Sequence, residues 1–199
     1  CAMGKRMFDI IVALIGFILG TPFFLCIAVG IKLDSPGSVF YNGVRIGKEG
    51  KPFRMHKFRT MVQNADKMGG PSTAGDDPRL TRVGKFMKKF QLDELPQLLN
   101  VLKGEMSIVG PRPEVQMYVD MMAPQEKQVI LSVRPGMTDW ASLWNFHEGE
   151  ILRGSKDPEK TYQEKIRPEK IRLQMKYVKE KSFLVDLNII FLTLKKLFA

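Results

Sequence analysis

Residues 10–31 read IIVALIGFILGTPFFLCIAVGI, an unbroken stretch without a charged side chain. As one straight α-helix it would measure about 33 Å, close to the thickness of a bilayer's hydrocarbon layer. Length and hydropathy alone predict a spanning helix. Three features predict something else. Gly20-Thr21-Pro22 falls near the middle, and Pro22 lacks a backbone donor and crowds the preceding turn, so a kink is expected there. Lys5 and Arg6 precede the run. Lys32 follows it, and basic residues mark the cytoplasmic side of a membrane segment. A kinked, re-entrant helix over residues 5–33, entering and leaving the same leaflet, satisfies all three. The Thr21 hydroxyl is then a local donor for the carbonyls that Pro22 sets free. A cleaved signal peptide does not fit, because no A-x-A-like site follows the run.

Beyond this segment the text changes character. Asp34-Ser35-Pro36-Gly37 is a turn signal. Val39–Tyr41, Val44–Ile46 and Pro52–Phe58 read as short antiparallel strands separated by Asn42-Gly43 and by Gly47–Lys51, with Asn42-Gly43 as a hairpin turn. Residues 63–80, rich in Gly, Asp, Pro and Ser, read as a surface loop. Thr81 is placed to cap a helix over Val83–Phe90. A second helix is predicted over Asp93–Leu102, with Leu95, Leu98, Leu99 and Leu102 on one face and Gly104 as its stop. Pro111 and Pro113 exclude regular helix between them. Short helices are predicted over 114–122 and 125–133, and a charged helical stretch over 158–181 with a break at Pro168. The chain closes on residues 183–198, where Phe183, Leu187, Ile190, Leu194 and Leu197 share one stripe of an amphipathic helix. The expected fold is α+β: mainly helical, with a small antiparallel β-hairpin, an N-terminal re-entrant membrane helix and a C-terminal amphipathic helix.

Charge narrows the partner. A net charge of +10 and a pI near 9.6 call for something acidic: nucleic acid, an anionic membrane surface or a phosphorylated substrate. Two cysteines, Cys1 and Cys26, make no disulfide framework. The chemistry-bearing segment is Leu92-Asp93-Glu94-Leu95-Pro96-Gln97. Two adjacent carboxylates open an apolar helix, where free amides stabilise an anion, so a helix cap is the bland reading of Asp93. Its setting adds more. His56, Lys57 and Arg59, then Lys85, Lys88 and Lys89, then Arg112 supply cations for phosphates, with arginine as a bidentate clamp. A carboxylate beside phosphates also suits Mg²⁺. Neighbouring helical carboxylates point about 100° apart, which disfavours the facing pair a glycosidase needs. No G-x-x-x-x-G-K-[ST] loop, G-x-G-x-x-G fingerprint or Cys/His zinc spacing is present, and His56 and His147 stand alone.

Taken together, these motifs resemble those of the monotopic phosphoglycosyl transferases, bacterial sugar transferases that begin surface-glycan assembly. The resemblance is carried by Lys57-Phe58-Arg59-Thr60-Met61 and Leu92-Asp93-Glu94-Leu95-Pro96-Gln97-Leu98. It continues in Asn100–Ser107, Val109-Gly110-Pro111-Arg112-Pro113 and Val133-Arg134-Pro135-Gly136-Met137-Thr138. It implies a cytosolic catalytic domain over 34–199 with interfacial helices, held on the cytoplasmic face of the bacterial inner membrane. It implies a UDP-sugar and polyprenyl (undecaprenyl) phosphate as substrates, Mg²⁺ as cofactor and membrane lipid as a partner. Nucleic acid is not implied, and a homo-oligomer is compatible. Asp93 is then the nucleophile and metal ligand, forming a phosphosugar-aspartate and releasing UMP. Glu94 orients the site or manages a proton. Lys57, Arg59, Lys88, Pro111, Arg112 and Arg134 fall at phosphate-binding positions, and Thr21-Pro22 at the membrane kink.

One stretch departs from the family pattern. In Asp139-Trp140-Ala141-Ser142-Leu143-Trp144-Asn145-Phe146-His147-Glu148-Gly149-Glu150, Asp139 replaces a usual glycine and Ser142 a usual glutamine. The resemblance implies contact with nucleotide or sugar here. Trp140 and Trp144 also read simply as packing or interfacial aromatics. The alternative for the whole chain is a non-catalytic, basic, membrane-anchored module that binds anionic lipid or nucleic acid. That alternative accounts for the charge but not for residues 92–113.

Overall fold

A computed structural model describes residues 2–70 and 72–197. Cys1 and the Phe198 end of the predicted C-terminal helix lie outside them. The helices are α1 (Ala2–Asp34), α2 (Arg82–Lys89), α3 (Leu98–Lys103), α4 (Gln116–Asp120), α5 (Pro124–Ile130), α6 (Trp140–Trp144), α7 (Glu148–Leu152), α8 (Pro158–Thr161), α9 (Arg167–Glu180) and α10 (Phe183–Leu197). The strands are β1 (Phe40–Ile46), β2 (Pro52–Phe58), β3 (Ser107–Val109) and β4 (Gly136–Thr138). The α+β expectation holds: the chain is mainly helical with one antiparallel hairpin, β1–β2.

Of the two breaks predicted between the strands, Gly47–Lys51 is the hairpin reversal and Asn42-Gly43 is not a turn. Asn42 and Gly43 lie inside β1, opposite His56 and Met55. Glu49 and Gly50 supply the positive φ angles, 60° and 75°, that a tight reversal requires. Gly43 serves as a floor instead, because the Tyr41 and Arg45 side chains close over it and leave no room for a Cβ. A second pairing, β3 with β4, is parallel and went unforeseen. It explains two motif glycines. A Cβ on Gly136 would stand 2.0 Å from the Gly110 nitrogen, and one on Gly110 would stand 2.6 Å from the Arg134 carbonyl oxygen. The two backbones cross in contact, so neither position tolerates a side chain.

Helix α1 is long and apolar enough to cross a membrane, and most of its surface is bare. It continues through Pro22, and Thr21 Oγ1 donates to the Phe17 carbonyl at 2.8 Å, the role expected of that hydroxyl. One narrow stripe packs along its whole length. Lys5 donates to the Val109 carbonyl and pairs with Asp186, and Arg6 donates to the Val101 and Leu102 carbonyls. Asp9 accepts from the Ser107 hydroxyl and the Ile108 amide. Ala13 is fully buried in the main core with Leu98, Val101, Met106, Val109, Tyr177 and Ile189. Farther on, Ile31 packs with Phe58 and Met87, and Asp34 accepts from the Val83 amide.

The predicted stripe of α10, which the sequence allows either in the core or at an interface, lies mostly at the surface. Phe183, Leu187 and Leu194 are exposed, whereas Asp186 and Ile189 are buried, with Val185, Ile190 and Leu192 packed behind them. The helix is apolar on both faces, so periodicity alone did not choose. The polar ties chose: Asp186 to Lys5 and Tyr177, and Thr193 to Thr138.

Candidate active site

Asp93 and Glu94 open a 3-10 turn, Leu92–Gln97, that runs directly into α3. The predicted single helix over 93–102 is thus two pieces. Gln91 reaches left-handed geometry to start the turn, and Pro96 sits inside it. Gly104 ends α3 at φ 84°, the stop predicted for it. The turn is clamped to β2 by Asn100, which accepts from the His56 amide and donates to the Arg54 carbonyl. Alternation along β2 sends Phe53, Met55 and Lys57 inward, so Lys57 meets the two carboxylates.

The two carboxylates have opposite surroundings. Glu94 is fully engaged. Arg112 Nη1 donates to Oε2 at 2.8 Å, Arg112 Nη2 donates to Oε1, and Lys57 Nζ also donates to Oε1 at 2.7 Å. Burial opposes ionisation of Glu94, but the Arg112 and Lys57 charges and hydrogen bonds win and hold its pKa far below the carboxylate range. Glu94 in turn raises the pKa of Arg112. Asp93 is only 5% exposed, yet among the described residues its carboxylate accepts no hydrogen bond. Its nearest cation is Lys57 Nζ at 3.9 Å. Burial raises its pKa, the Glu94 charge adds to that, and Lys57, Lys88 and Arg112 pull the other way. Lys88 keeps exposed surface, yet burial around its ammonium lowers its pKa against the pull of Asp93.

Of the residues singled out in the sequence, the structure gathers Asp93, Glu94, Lys57, Lys88 and Arg112. Pro111 shapes the bend before Arg112, and its carbonyl accepts from the Gly136 amide at 3.0 Å. Arg59 goes elsewhere: its guanidinium donates to the Ser35 and Pro36 carbonyls, closing the turn after α1. Arg134 is exposed, and its Nε donates to the Gly104 carbonyl at 2.8 Å. Both arginines hold backbone, not the carboxylates. His56 stands between Asn42 and Lys103 on the hairpin.

Other residues of the site carried no motif. The Gln174 amide, fully buried on α9, donates to the Arg112 carbonyl. Beside it Lys170 pairs with Glu114 at 2.5 Å and donates to the Tyr162 hydroxyl. Burial pushes the Tyr162 phenol up to about 12. These residues lie in the charged 158–181 stretch, whose charges hid an inward face. The stretch breaks as a π turn over Tyr162–Ile166, just before Pro168, where proline provides no donor to the preceding turn.

The divergent 139–150 stretch also reaches the site. Gln91 donates to the Phe146 carbonyl at 3.4 Å, linking it to the Asp93 turn. Its two departures belong together: Asp139 Oδ1 caps α6 by accepting from the Ser142 amide and the Ser142 hydroxyl. Trp140 packs on the main core while Trp144 is exposed.

The amino-acid sequence is similar to those of known proteins. The pattern of one family, described as bacterial sugar transferase, matches residues 1–199. A UDP-N-acetylgalactosamine-undecaprenyl-phosphate N-acetylgalactosaminephosphotransferase of Aeromonas hydrophila is 39% identical over 194 residues, covering 96% of this chain and 43% of its own length. The UDP-glucose:undecaprenyl-phosphate glucose-1-phosphate transferase of Escherichia coli K12 is 38% identical over 198 residues, covering 98% of this chain and 40% of its own length. The exopolysaccharide production protein ExoY of Sinorhizobium fredii is 36% identical over 207 residues, covering 96% of this chain and 84% of its own length. The chain thus spans less than half the length of the first two relatives and most of the third.

Proposed function

The chain belongs to the bacterial sugar transferase family, and from that premise we propose that it moves a sugar 1-phosphate from a UDP-sugar to polyprenyl phosphate and releases UMP. The observation that carries this reading is the division of labour between two adjacent carboxylates. Glu94 has spent its lone pairs on Arg112 and Lys57, so it neither attacks nor carries a proton. It is a positioning residue. Asp93 is buried, free of donors and more basic than an ordinary aspartate, which suits a nucleophile.

In the proposed first half-reaction an Asp93 oxygen bonds to the phosphorus that bears the sugar. The bond from that phosphorus to the bridging oxygen breaks, and UMP leaves with the electron pair. In the second, a polyprenyl phosphate oxygen attacks the same phosphorus. The Asp93 carboxylate leaves, and the lipid keeps a sugar diphosphate. Lys57, Lys88 and Arg112 offset charge on the transferring group in both steps. Among the described residues no three His, Cys, Asp or Glu side chains gather as a metal cage. Mg²⁺ needs none, since it takes one or two carboxylates and completes its shell with water and phosphate oxygens. Asp93 fits that donor set and Glu94, already paired, does not. Bound there, Mg²⁺ would draw negative charge from the diphosphate.

The same proposal includes a re-entrant α1 over 5–33 and a catalytic part over 34–199 on the cytoplasmic face. Support comes from packing. Lys5, Arg6 and Asp9 at one end of α1 and Ile31 and Asp34 at the other bind the same body of the protein. A spanning helix would carry one of those ends across the bilayer. The exposed apolar stripe of α10 supplies a second lipid contact.

The test is to mix the chain with UDP-sugar and Mg²⁺ without lipid acceptor. A stoichiometric burst of UMP, with the chain heavier by one sugar phosphate and the adduct absent in Asp93→Asn, is the expected result. Release of UDP, or UMP release unchanged by Asp93→Asn, would overturn it.

A further inference from the structure

The stretch that departs from the family pattern also places a third carboxylate beside the site. Glu148 opens α7 directly after the segment that Gln91 binds. Its charge acts on Lys88, Arg112 and Lys170 at once, yet it forms a close ion pair with none of them. Its one hydrogen-bond partner among the described residues is Asn145, whose Nδ2 donates to Glu148 Oε2 at 2.6 Å. Asn145 is 8% exposed, and its Oδ1 is buried without a partner. A buried amide oxygen left unpaired costs free energy unless something donates to it.

The pair therefore has a defined chemistry. One N–H of the Asn145 amide goes to Glu148, while Asn145 Oδ1 and Glu148 Oε1 remain as acceptors. Two acceptors, one of them anionic, repel phosphate and bind hydroxyl groups. Cations on the Asp93 side serve the diphosphate, so these acceptors suit the part of the donor that carries hydroxyls. We propose that Asn145 and Glu148 form the hydroxyl-reading wall of the donor site and set which nucleotide sugar is used. This rests on the transferase reading above. The hydroxyl pair belongs either to the sugar or to the uridine ribose, and the test separates the two.

UMP release by the full chain is followed with UDP-glucose, its C4 epimer UDP-galactose, UDP-N-acetylgalactosamine, and a 2′-deoxyuridine version of the best of these. The parent is compared with Glu148→Gln and Asn145→Ala, each first checked for an unchanged melting temperature. A hydrogen bond from a donor to a charged acceptor is worth roughly 1.5–3 kcal/mol, a factor of about 10 to 150. Glu148→Gln is therefore expected to change the ratio of kcat/KM between sugar epimers by at least about tenfold if the sugar is read. If the ribose is read, that ratio holds, and the tenfold penalty for the 2′-deoxy donor seen in the parent disappears in the variant. Asn145→Ala should act in the same direction. An equal loss for every donor, the 2′-deoxy one included, would reduce the pair to a structural role and overturn the inference. No UMP from any donor with the folded parent would instead overturn the transferase reading on which it rests. Should Glu148→Gln lower the melting temperature, Asn145→Ala decides, because it leaves every charge in place.

Discussion

Helices α1 and α9 invert each other. Helix α1 is apolar in sequence, and most of it faces outward: Ile18, Leu19, Phe23 and Leu25 are each about two-thirds exposed. Helix α9 is charged in sequence, yet Lys170, Ile171, Gln174 and Tyr177 are buried on it. In water the first arrangement would be a liability, since large exposed apolar patches mark an interaction surface. The second is costly anywhere unless each buried polar group is paired. The inversion says that the protein has two solvents. Under the proposed membrane setting, lipid would take the place of water around α1 and α10. Around Asp93, Arg112 and Gln174 the interior is itself a polar medium, prepared for a charged ligand. That leftover acceptors and donors persist there, on Gln97, Asn145 and Gln174, fits an interior waiting for polar atoms.

The comparison breaks most visibly at Asp93. Asp93→Asn is expected to lower UMP release by at least about 10⁴-fold, as removal of a covalent nucleophile does. The same change should leave the melting temperature at neutral pH equal or higher. The sign follows from linkage: the folded pKa lies above the unfolded 3.8, so the native state holds the proton more tightly. Stability from Asp93 is present below the unfolded pKa and is lost as pH rises through the folded one. A fall in melting temperature for this variant would mean that Asp93 is a structural cap.

Glu94 and Arg112 should behave oppositely. Arg112→Lys keeps the charge but loses the two-pronged contact, and is expected to cost about 10²–10³ in kcat. Arg112→Ala should in addition lower stability by about 3–5 kcal/mol, since it leaves Glu94 buried with Lys57 alone. Glu94 contributes stability above the unfolded pKa of 4.5 and loses it as pH falls through its much lower folded value. In kinetics, the acid limb of UMP release should titrate above the ordinary aspartate value. Glu94→Gln should move that limb to lower pH, because it removes a like charge and frees two cations to act on Asp93. A limb that stays in place would assign it to another group.

Smaller effects test the lipid side. Lys5→Ala strips Asp186 of its ion pair and should lower stability by about 1–3 kcal/mol, read by denaturant unfolding in detergent. Phe191→Ser on α10 should change stability by less than about 0.5 kcal/mol, since the ring is 66% exposed. Its binding to anionic vesicles should fall by roughly 10- to 150-fold, in line with about 1.5–3 kcal/mol for burying a large apolar side chain. A larger loss of stability than of vesicle binding would place that face against protein.

Much of this was legible in the sequence, and the exceptions have reasons. The uncharged run, the Thr81 cap, the Gly104 stop and the Asp93-Glu94 pair are local signals, and each is found where it was read. The hairpin turn was misplaced because Asn42-Gly43 carries the strongest local turn signal, whereas Gly43 is needed for space beneath two side chains. Which face of α10 turns inward is not legible locally, because both faces are apolar and distant polar ties decide, Asp186 to Lys5 and Thr193 to Thr138. Arg59 and Lys57 look equivalent in the sequence. Lys57 lies in β2, whereas Arg59 follows the end of the strand and finds two backbone carbonyls. Glu114, Lys170 and Gln174 carried no motif because their partnerships span tens of residues.

The knot at the start of α1 has a consequence of its own. Lys5 and Asp9 bind Val109, Ser107 and Ile108, the whole of β3, and the chain leaves β3 through only Gly110 and Pro111 before reaching Arg112. The helix is therefore a ruler as well as an anchor. If α1 lies in a bilayer as proposed, its depth sets the height at which Arg112 stands, and with it the level at which a lipid phosphate would arrive. One residue inserted between Asp9 and Ala13 would turn the rest of the helix by about 100° and advance it by about 1.5 Å, so that the Lys5–Asp9 end and the Ala13, Ile31 and Asp34 contacts could no longer hold the same body at once.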